Sequence, residues 1–167
     1  MIHDYLRKIN YYETDKMGIT HHSNYVRFME EARIDFLEQI GCSYDKMEKD
    51  GIISPVIGIE CEYKRSTTFG DELRIQVEIV EYKRVKLSVA YTMINTKTEQ
   101  IVFTGKSHHC FLNSEGRPIA LSKQYPEYDE LLKEQNLKRS DNPDVIYGRD
   151  FEEEAMPISE IVGEIGE

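Results

Sequence analysis

A long amphipathic segment near the amino terminus constrains the fold of this chain most strongly. Ser23 or Asn24 can cap the start of a helix there, and Gly41 supplies a left-handed stop. The spacing predicts one helix of about 17 residues, with Glu30, Glu31, Arg33 and Glu38 mostly on its wet face. The apolar side chains between these limits recur every three or four residues, at Tyr25, Phe28, Met29, Ala32, Phe36, Leu37 and Ile40.

The segments around this helix carry mostly strand patterns. A first strand is expected at residues 5–12, a short helix at 44–49 and a closing helix at 126–135. Because a single apolar helix face needs a broad cover, these patterns predict an α+β fold with one five-stranded antiparallel sheet around the long helix. We expect this domain at residues 1–137, with an acidic extension at 138–167. The four later strands are expected at 52–64, 73–79, 85–93 and 100–112.

Charge and composition exclude several classes of function. The net charge is −10, and residues 141–167 hold nine acidic side chains and one basic one. Nucleic-acid binding needs clustered lysine and arginine, so no nucleic-acid partner is expected. No apolar run is long enough to span a membrane, and the first residues do not resemble a secretory leader, so the expected location is the cytoplasm. The three cysteines have no paired spacing, which disfavours a disulfide framework or a zinc knuckle.

The loop before the long helix holds the candidate chemistry. Asp15 lies in a loop with Gly18, and His21 and His22 follow just before the helix. A carboxylate and an imidazole near a helix start can perform acyl transfer or proton transfer, although Asp15 can also simply close an Asx turn. No metal site is expected, because the adjacent His108 and His109 point to opposite faces of a strand and no third ligand has suitable spacing.

Residues 11–25 also resemble a known family. The run Tyr-Tyr-Glu-Thr-Asp-x-x-Gly, followed by His-x-Asn-Tyr and a helix rich in Phe, Glu, Ala and Arg, is similar to the hotdog-fold acyl-CoA thioesterases. The most similar groups are the 4-hydroxybenzoyl-CoA thioesterase type and its YbgC-like relatives, over roughly residues 3–135. The resemblance implies that Asp15 is the catalytic carboxylate, as nucleophile or general base. It implies that His22 assists and that Tyr11 donates its hydroxyl to Asp15.

The resemblance implies further parts of a site. The turn with Lys83, Arg84 and Lys86 would contact the phosphates of coenzyme A, and a backbone oxyanion donor would lie near Gly58 and Ile59. The implied reaction splits an acyl-CoA thioester, or an acyl-carrier-protein thioester, into free acid and thiol. It needs no cofactor, since coenzyme A belongs to the substrate, and the family works as homodimers or homotetramers.

Two other functions remain open on the same fold. A hydratase or dehydratase of the MaoC type sets its aspartate and histidine five residues apart, with proline before the histidine. Here the separations are six for His21 and seven for His22, and Thr20 precedes the pair. A non-catalytic acyl-CoA-binding protein is the other alternative, and the presence of Asp15 argues against it.

Overall fold

The structure, a computed structural model, describes residues 1–140. These residues form a single antiparallel sheet in which the first, third, fourth, fifth and second strands of the chain lie side by side, packed on the long helix. The predicted α+β hotdog architecture is confirmed. The elements are β1 (Tyr5–Lys8), a 3-10 turn (Tyr11–Glu13), α1 (Ser23–Gln39), α2 (Tyr44–Lys49), β2 (Val56–Tyr63), β3 (Glu72–Lys83), β4 (Lys86–Asn95), β5 (Gln100–Cys110), α3 (Leu121–Gln124) and α4 (Pro126–Ser140).

The apolar stripe of α1 lies against the inner face of the sheet, as its spacing predicts. Phe28 and Ala32 are fully buried there. The approach is close enough to require glycine at position 105 on β5. A Cβ at Gly105 would lie 2.8 Å from Met29 Sδ and 2.9 Å from the backbone oxygen of Glu60. Helix and sheet are therefore in direct contact at the centre of the domain.

One residue of α1 contradicts its predicted place. Arg33 was expected on the wet face, but it is only 5% exposed. Its Nε donates to the Tyr44 hydroxyl and its Nη1 to the Tyr91 hydroxyl, both at 3.0 Å. Position 33 falls on the apolar stripe, four residues after Met29, and distant hydroxyls compensate the burial of its charge.

The ends of several elements differ from prediction. β1 ends at Lys8, because the chain then turns into the 3-10 helix Tyr11–Glu13. β2 begins only at Val56 and carries a bulge before Gly58. α4 continues beyond residue 135 to Ser140 and so crosses the expected boundary after residue 137. The rest of the acidic extension, residues 141–167, lies outside the described residues. Within residues 1–140 no helix has the length and hydropathy to cross a membrane.

Candidate active site

A buried ion pair anchors the loop that carries Asp15. Both guanidinium Nη groups of Arg7, on β1, donate to the carboxylate of Glu13, which is 4% exposed. Arg7 Nε also donates to Glu31 on α1 at 3.1 Å, and the guanidinium stacks 4.4 Å from the centre of the Phe28 ring. Burial alone would raise the pKa of the Glu13 carboxyl, but hydrogen bonds from Arg7 and from the Asn10 backbone outweigh it and lower the pKa.

Backbone hydrogen bonds fix the shape of the loop itself. Asp15 N donates to Ile19 O, and Gly18 N donates to Asp15 O, both at 2.9 Å. Gly18 has a φ of +78°, a conformation that glycine adopts without strain. Thr20 N then donates to Thr67 O at 2.8 Å, so the loop is tied to the segment that leads into β3.

The Asp15 side chain lies at an open cleft. Its Oδ1 accepts a hydrogen bond from Met17 N at 2.8 Å, so the Asx turn considered from the sequence does form. The residue is nevertheless half-exposed and lines a cleft of about 460 Å³, together with His21, Asn24 and Arg27. Its Oδ2 accepts no hydrogen bond from the part of the chain that the structure describes. A turn role for one carboxylate oxygen is therefore compatible with chemistry at the other.

The rings of the two histidines before α1 lie against each other, with their centres 4.2 Å apart, but their other contacts differ. His21 lines the Asp15 cleft, and its Nδ1 lies 2.8 Å from Ser23 Oγ and accepts a weak hydrogen bond from Ser23 N at 3.3 Å. His22 occupies the cap position, and its exposed ring meets the edge of Tyr63 at 6.3 Å between ring centres. Within one chain, His21 therefore shares the cleft with Asp15, and His22 is not part of its lining. The assisting role of His22 stays a prediction.

The start of α1 is bonded to its surroundings rather than open. The backbone N–H groups of Ser23, Asn24 and Tyr25 all have local acceptors, at His21 or His22. These N–H groups are not free to stabilise an oxyanion, so the helix end contributes only its dipole. Asn24 was expected to cap the helix. Instead its Nδ2 donates to the Glu13 backbone oxygen at 2.8 Å and ties α1 to the Asp15 loop.

Tyr11 lies apart from Asp15. Its side chain is 77% exposed and packs edge-on against Phe69, with the ring centres 5.7 Å apart. Among residues 1–140 its hydroxyl makes no hydrogen bond to Asp15. The predicted contact between the two side chains is therefore not formed within one chain.

The predicted phosphate contacts lie at the far end of the sheet. Arg84, with a φ of +49°, lies in the two-residue turn between β3 and β4, and the exposed Lys83 and Lys86 flank this turn as a strand pair. The Asp15 loop lies beside the start of β3, whereas this turn follows its end, 12 residues later. At the rise of an extended strand this separation is about 35–40 Å. One chain therefore does not bring the basic turn and Asp15 together.

Sequence reasoning missed the anchor of the loop. Arg7, Glu13 and Asn24 hold the loop in place, but no pattern in the sequence predicted this role for any of them. A local signal existed, because Asn10 and Glu13 form a capping box over the 3-10 turn, and Asn10 N donates to Glu13 Oε2 at 2.8 Å. The contact of the Tyr63 hydroxyl with His22 O, at 2.9 Å, joins residues 41 positions apart and leaves no local signal.

Comparison with known proteins defines the class. Residues 9–160 match the model of the thioesterase-like superfamily. The chain belongs to this superfamily, and its enzyme class is that of a thioester hydrolase.

Individual relatives agree with this class. A Bacillus subtilis protein provisionally named acyl-CoA thioesterase YneP is 32% identical over 121 residues, covering 72% of this chain and 88% of the relative. The acyl-CoA thioester hydrolase YbgC of Escherichia coli O6:H1 is 27% identical over 90 residues, covering 54% of this chain and 67% of the relative. The solved DHNA-CoA thioesterase of Staphylococcus aureus is 31% identical with a TM-score of 0.78, covering 84% of this chain and 95% of that protein.

Proposed function

We propose that the protein hydrolyses acyl-CoA thioesters to a free acid and coenzyme A, with Asp15 as the catalytic carboxylate. The observation that carries this proposal is the half-exposed Asp15, held at an open cleft by a loop whose anchor is a buried ion pair. A thioester carbonyl is electrophilic and a thiolate leaves readily. One positioned carboxylate therefore suffices, either by attacking to form a mixed anhydride or by deprotonating a water molecule. The names of the relatives support coenzyme A as the thiol.

The site is proposed to need a second copy of the chain. β2 is an edge strand, and its exposed apolar side chains include Val56, Ile57 and Ile59. An unpaired edge of this kind favours pairing with another strand. Val56 lies at the basic-turn end of the sheet and Tyr63 at the Asp15 end. Antiparallel pairing of two β2 strands would therefore place the basic turn of one subunit on the side of the other subunit's Asp15.

In this dimer, each site draws on both subunits. Asp15 supplies the reacting carboxylate, and Lys83, Arg84 and Lys86 of the partner chain bind the coenzyme A phosphates. The backbone of β2 near Gly58 and Ile59, beside the bulge in this strand, is the proposed source of the oxyanion donor. The cytoplasmic location, the use of carrier-protein thioesters and the choice between dimer and tetramer stay predictions from the sequence.

The experiment is steady-state release of coenzyme A from a panel of acyl-CoAs. Asp15→Asn should lower kcat by at least about 100-fold while substrate binding persists, because the amide can neither attack nor accept a proton. Asp45→Asn is the matched control, since Asp45 is exposed on α2 and its only ion pair among the described residues is with Lys49. Unchanged turnover in Asp15→Asn would refute the role of Asp15. Binding without release by the wild type would support the non-catalytic alternative.

A single turnover in ¹⁸O-labelled water tests the nucleophilic role of Asp15, because only that role can place the label in the protein. If Asp15 attacks the thioester, hydrolysis of the anhydride can leave ¹⁸O in the Asp15 carboxylate, which peptide mass spectrometry detects. If Asp15 is a general base, the label enters the product acid alone.

A further inference from the structure

A hydrogen-bonded series of a serine, a histidine and a carboxylate crosses the outer face of the sheet, away from α1. Ser88 on β4 lies directly opposite His108 on β5, and its Oγ is 2.8 Å from His108 Nδ1. On the other side of the imidazole, His108 Nε2 is 2.8 Å from Glu60 Oε2 on β2. The neighbouring His109 points inward and is buried, so the series belongs to the outer face.

The chemistry of the three side chains determines which atom donates in each of these hydrogen bonds. An ionised carboxylate can only accept, so the bond to Glu60 requires the hydrogen on His108 Nε2. In the neutral imidazole, Nδ1 then carries the lone pair and accepts the hydroxyl hydrogen of Ser88. The serine thus faces a base whose other nitrogen is held by a carboxylate, which is the arrangement that activates a serine nucleophile.

The series opens into a groove that Lys83 of the basic turn also lines. Ser88 and His108 line a surface groove of about 390 Å³, and Lys106 lines the same groove. Lys106 makes no ion pair with the described residues, and it lies two positions from His108 on the same face of β5. Its ammonium group is therefore available to an oxyanion formed at Ser88. Ser88 itself is only 5% exposed, which restricts access to small acyl groups.

We propose that Ser88, His108 and Glu60 form a second hydrolytic site, which cleaves small activated esters through an acyl-serine. Ser88 Oγ bonds to the ester carbonyl carbon while its proton passes to His108 Nδ1. The bond from that carbon to the alcohol oxygen breaks, and His108 returns the proton to the departing oxygen. Water then attacks the acyl-serine, gives one proton to His108, and releases the acid as Ser88 recovers its proton. The sum is ester and water to acid and alcohol.

This second site does not depend on Asp15. α1 and the Asp15 loop are not part of it, and its three side chains come from β4, β5 and β2 alone. An ester-hydrolysing activity that survives in Asp15→Asn is therefore expected. The proposal for Asp15 and the proposal for Ser88 can accordingly fail separately.

The test combines hydrolysis of p-nitrophenyl acetate with labelling by diisopropyl fluorophosphate, on the full-length protein. We expect one phosphoryl adduct at Ser88 by peptide mass spectrometry, in the wild type and in Asp15→Asn alike. Ser88→Ala and His108→Gln should each lower ester hydrolysis by at least about 100-fold and abolish the adduct. Ser114→Ala is the matched control, because Ser114 is exposed in the turn after β5 and should leave both readouts unchanged.

Thermal melting of each variant separates a lost site from a lost fold. Should Ser88→Ala fail to fold, Glu60→Gln provides a second variant, since Glu60 is 62% exposed in its side chain and orients His108 without reacting. It should lower the hydrolysis rate by about 10-fold and slow the labelling. An adduct elsewhere, no adduct at all, or a folded Ser88→Ala variant with undiminished hydrolysis would overturn the proposal.

Discussion

Two arginines, the partly buried Arg7 and the buried Arg33, lie against different parts of the sheet and are stabilised in different ways. At the Asp15 end, Arg7 is paired with the carboxylates of Glu13 and Glu31. Towards the basic-turn end, Arg33 has hydroxyl acceptors, including Tyr91 and Ser107, and no carboxylate among residues 1–140. The first arginine thus belongs to an ion-pair network that reaches the reacting loop. The second keeps a net positive charge in the core and joins α1 to the sheet.

This difference has a direct electrostatic consequence for His109. Its Nε2 lies 2.7 Å from Ser107 Oγ, in the same hydrogen-bonded group as Arg33. Burial, together with the nearby Arg33 and His108, lowers the pKa of His109 to about 4. Disruption at the Asp15 end should therefore change turnover, whereas disruption at the Arg33 end should change stability and its pH dependence.

The largest effect is expected at the Asp15 end, from Glu13→Gln. Breaking one side of a buried ion pair leaves Arg7 undercompensated, which costs about 3 kcal/mol in the free energy of unfolding. Because Glu13 anchors the loop two residues before Asp15, kcat should also fall by about 10-fold with little change in KM. Urea unfolding and coenzyme A release measure the two effects.

Glu31→Gln is the control for this prediction. Glu31 is the second, more exposed partner of Arg7 and does not belong to the Asp15 loop. The Glu31→Gln variant should lose less stability than Glu13→Gln and should keep kcat near the wild-type value. A Glu13→Gln protein that is destabilised but turns over normally would show that the ion pair does not position Asp15.

The second prediction uses pH to separate the two ends. An unfolded histidine has a pKa of about 6.5. Because folding lowers the pKa of His109 to about 4, protonation favours the unfolded chain. This contribution is full above about pH 6.5 and is lost as the pH falls towards 4, and it amounts to about 3 kcal/mol. Urea unfolding between pH 7 and 4 measures it.

His109→Gln should remove this fall in the free energy of unfolding between pH 7 and 4. Glutamine keeps a polar group near Ser107 but does not titrate. Glu13 behaves differently, since its folded pKa is lowered below the usual carboxyl value. Its contribution is present above the unfolded carboxyl pKa and is lost only as the pH falls below that value. Identical pH profiles for the wild type and His109→Gln would contradict the assignment of the histidine slope.

The smallest effect is expected from the basic turn. Replacing Lys83, Arg84 and Lys86 together by alanine should raise KM for acyl-CoA by about 10-fold and leave kcat nearly unchanged. The difference in KM between this variant and the wild type should shrink with added salt, because exposed charges are screened. Lys49→Ala is the control, as Lys49 is exposed on α2. If the KM of the triple alanine variant equals that of the wild type at every salt concentration, the turn does not bind the substrate.

Helices were predicted closely because local spacing determines them. α1 and α2 match their expected ranges, since the apolar period of α1 and the stop at Gly41 are properties of neighbouring residues. Arg33 was misplaced for the opposite reason. Its acceptors on Tyr44, Tyr91 and Ser107 come from three other parts of the chain, and no local pattern reveals them.

The candidate site was predictable in part. The resemblance selected Asp15, and strand alternation correctly placed His108 and His109 on opposite faces. The pairing of Ser88 with His108 depends on strand register, which alternation alone does not determine. The separation of Asp15 from the basic turn depends on the length of β3, which runs four residues beyond its predicted end at residue 79.

The central claim is that Asp15 of one subunit acts on a substrate held by the basic turn of the other. Subunit exchange between Asp15→Asn and the triple alanine variant of the turn tests it directly. At subsaturating acyl-CoA, an equal mixture should recover about a quarter of the wild-type rate, because about half of the dimers are mixed and each holds one intact site. A mixture that only averages the two separate rates would contradict the claim.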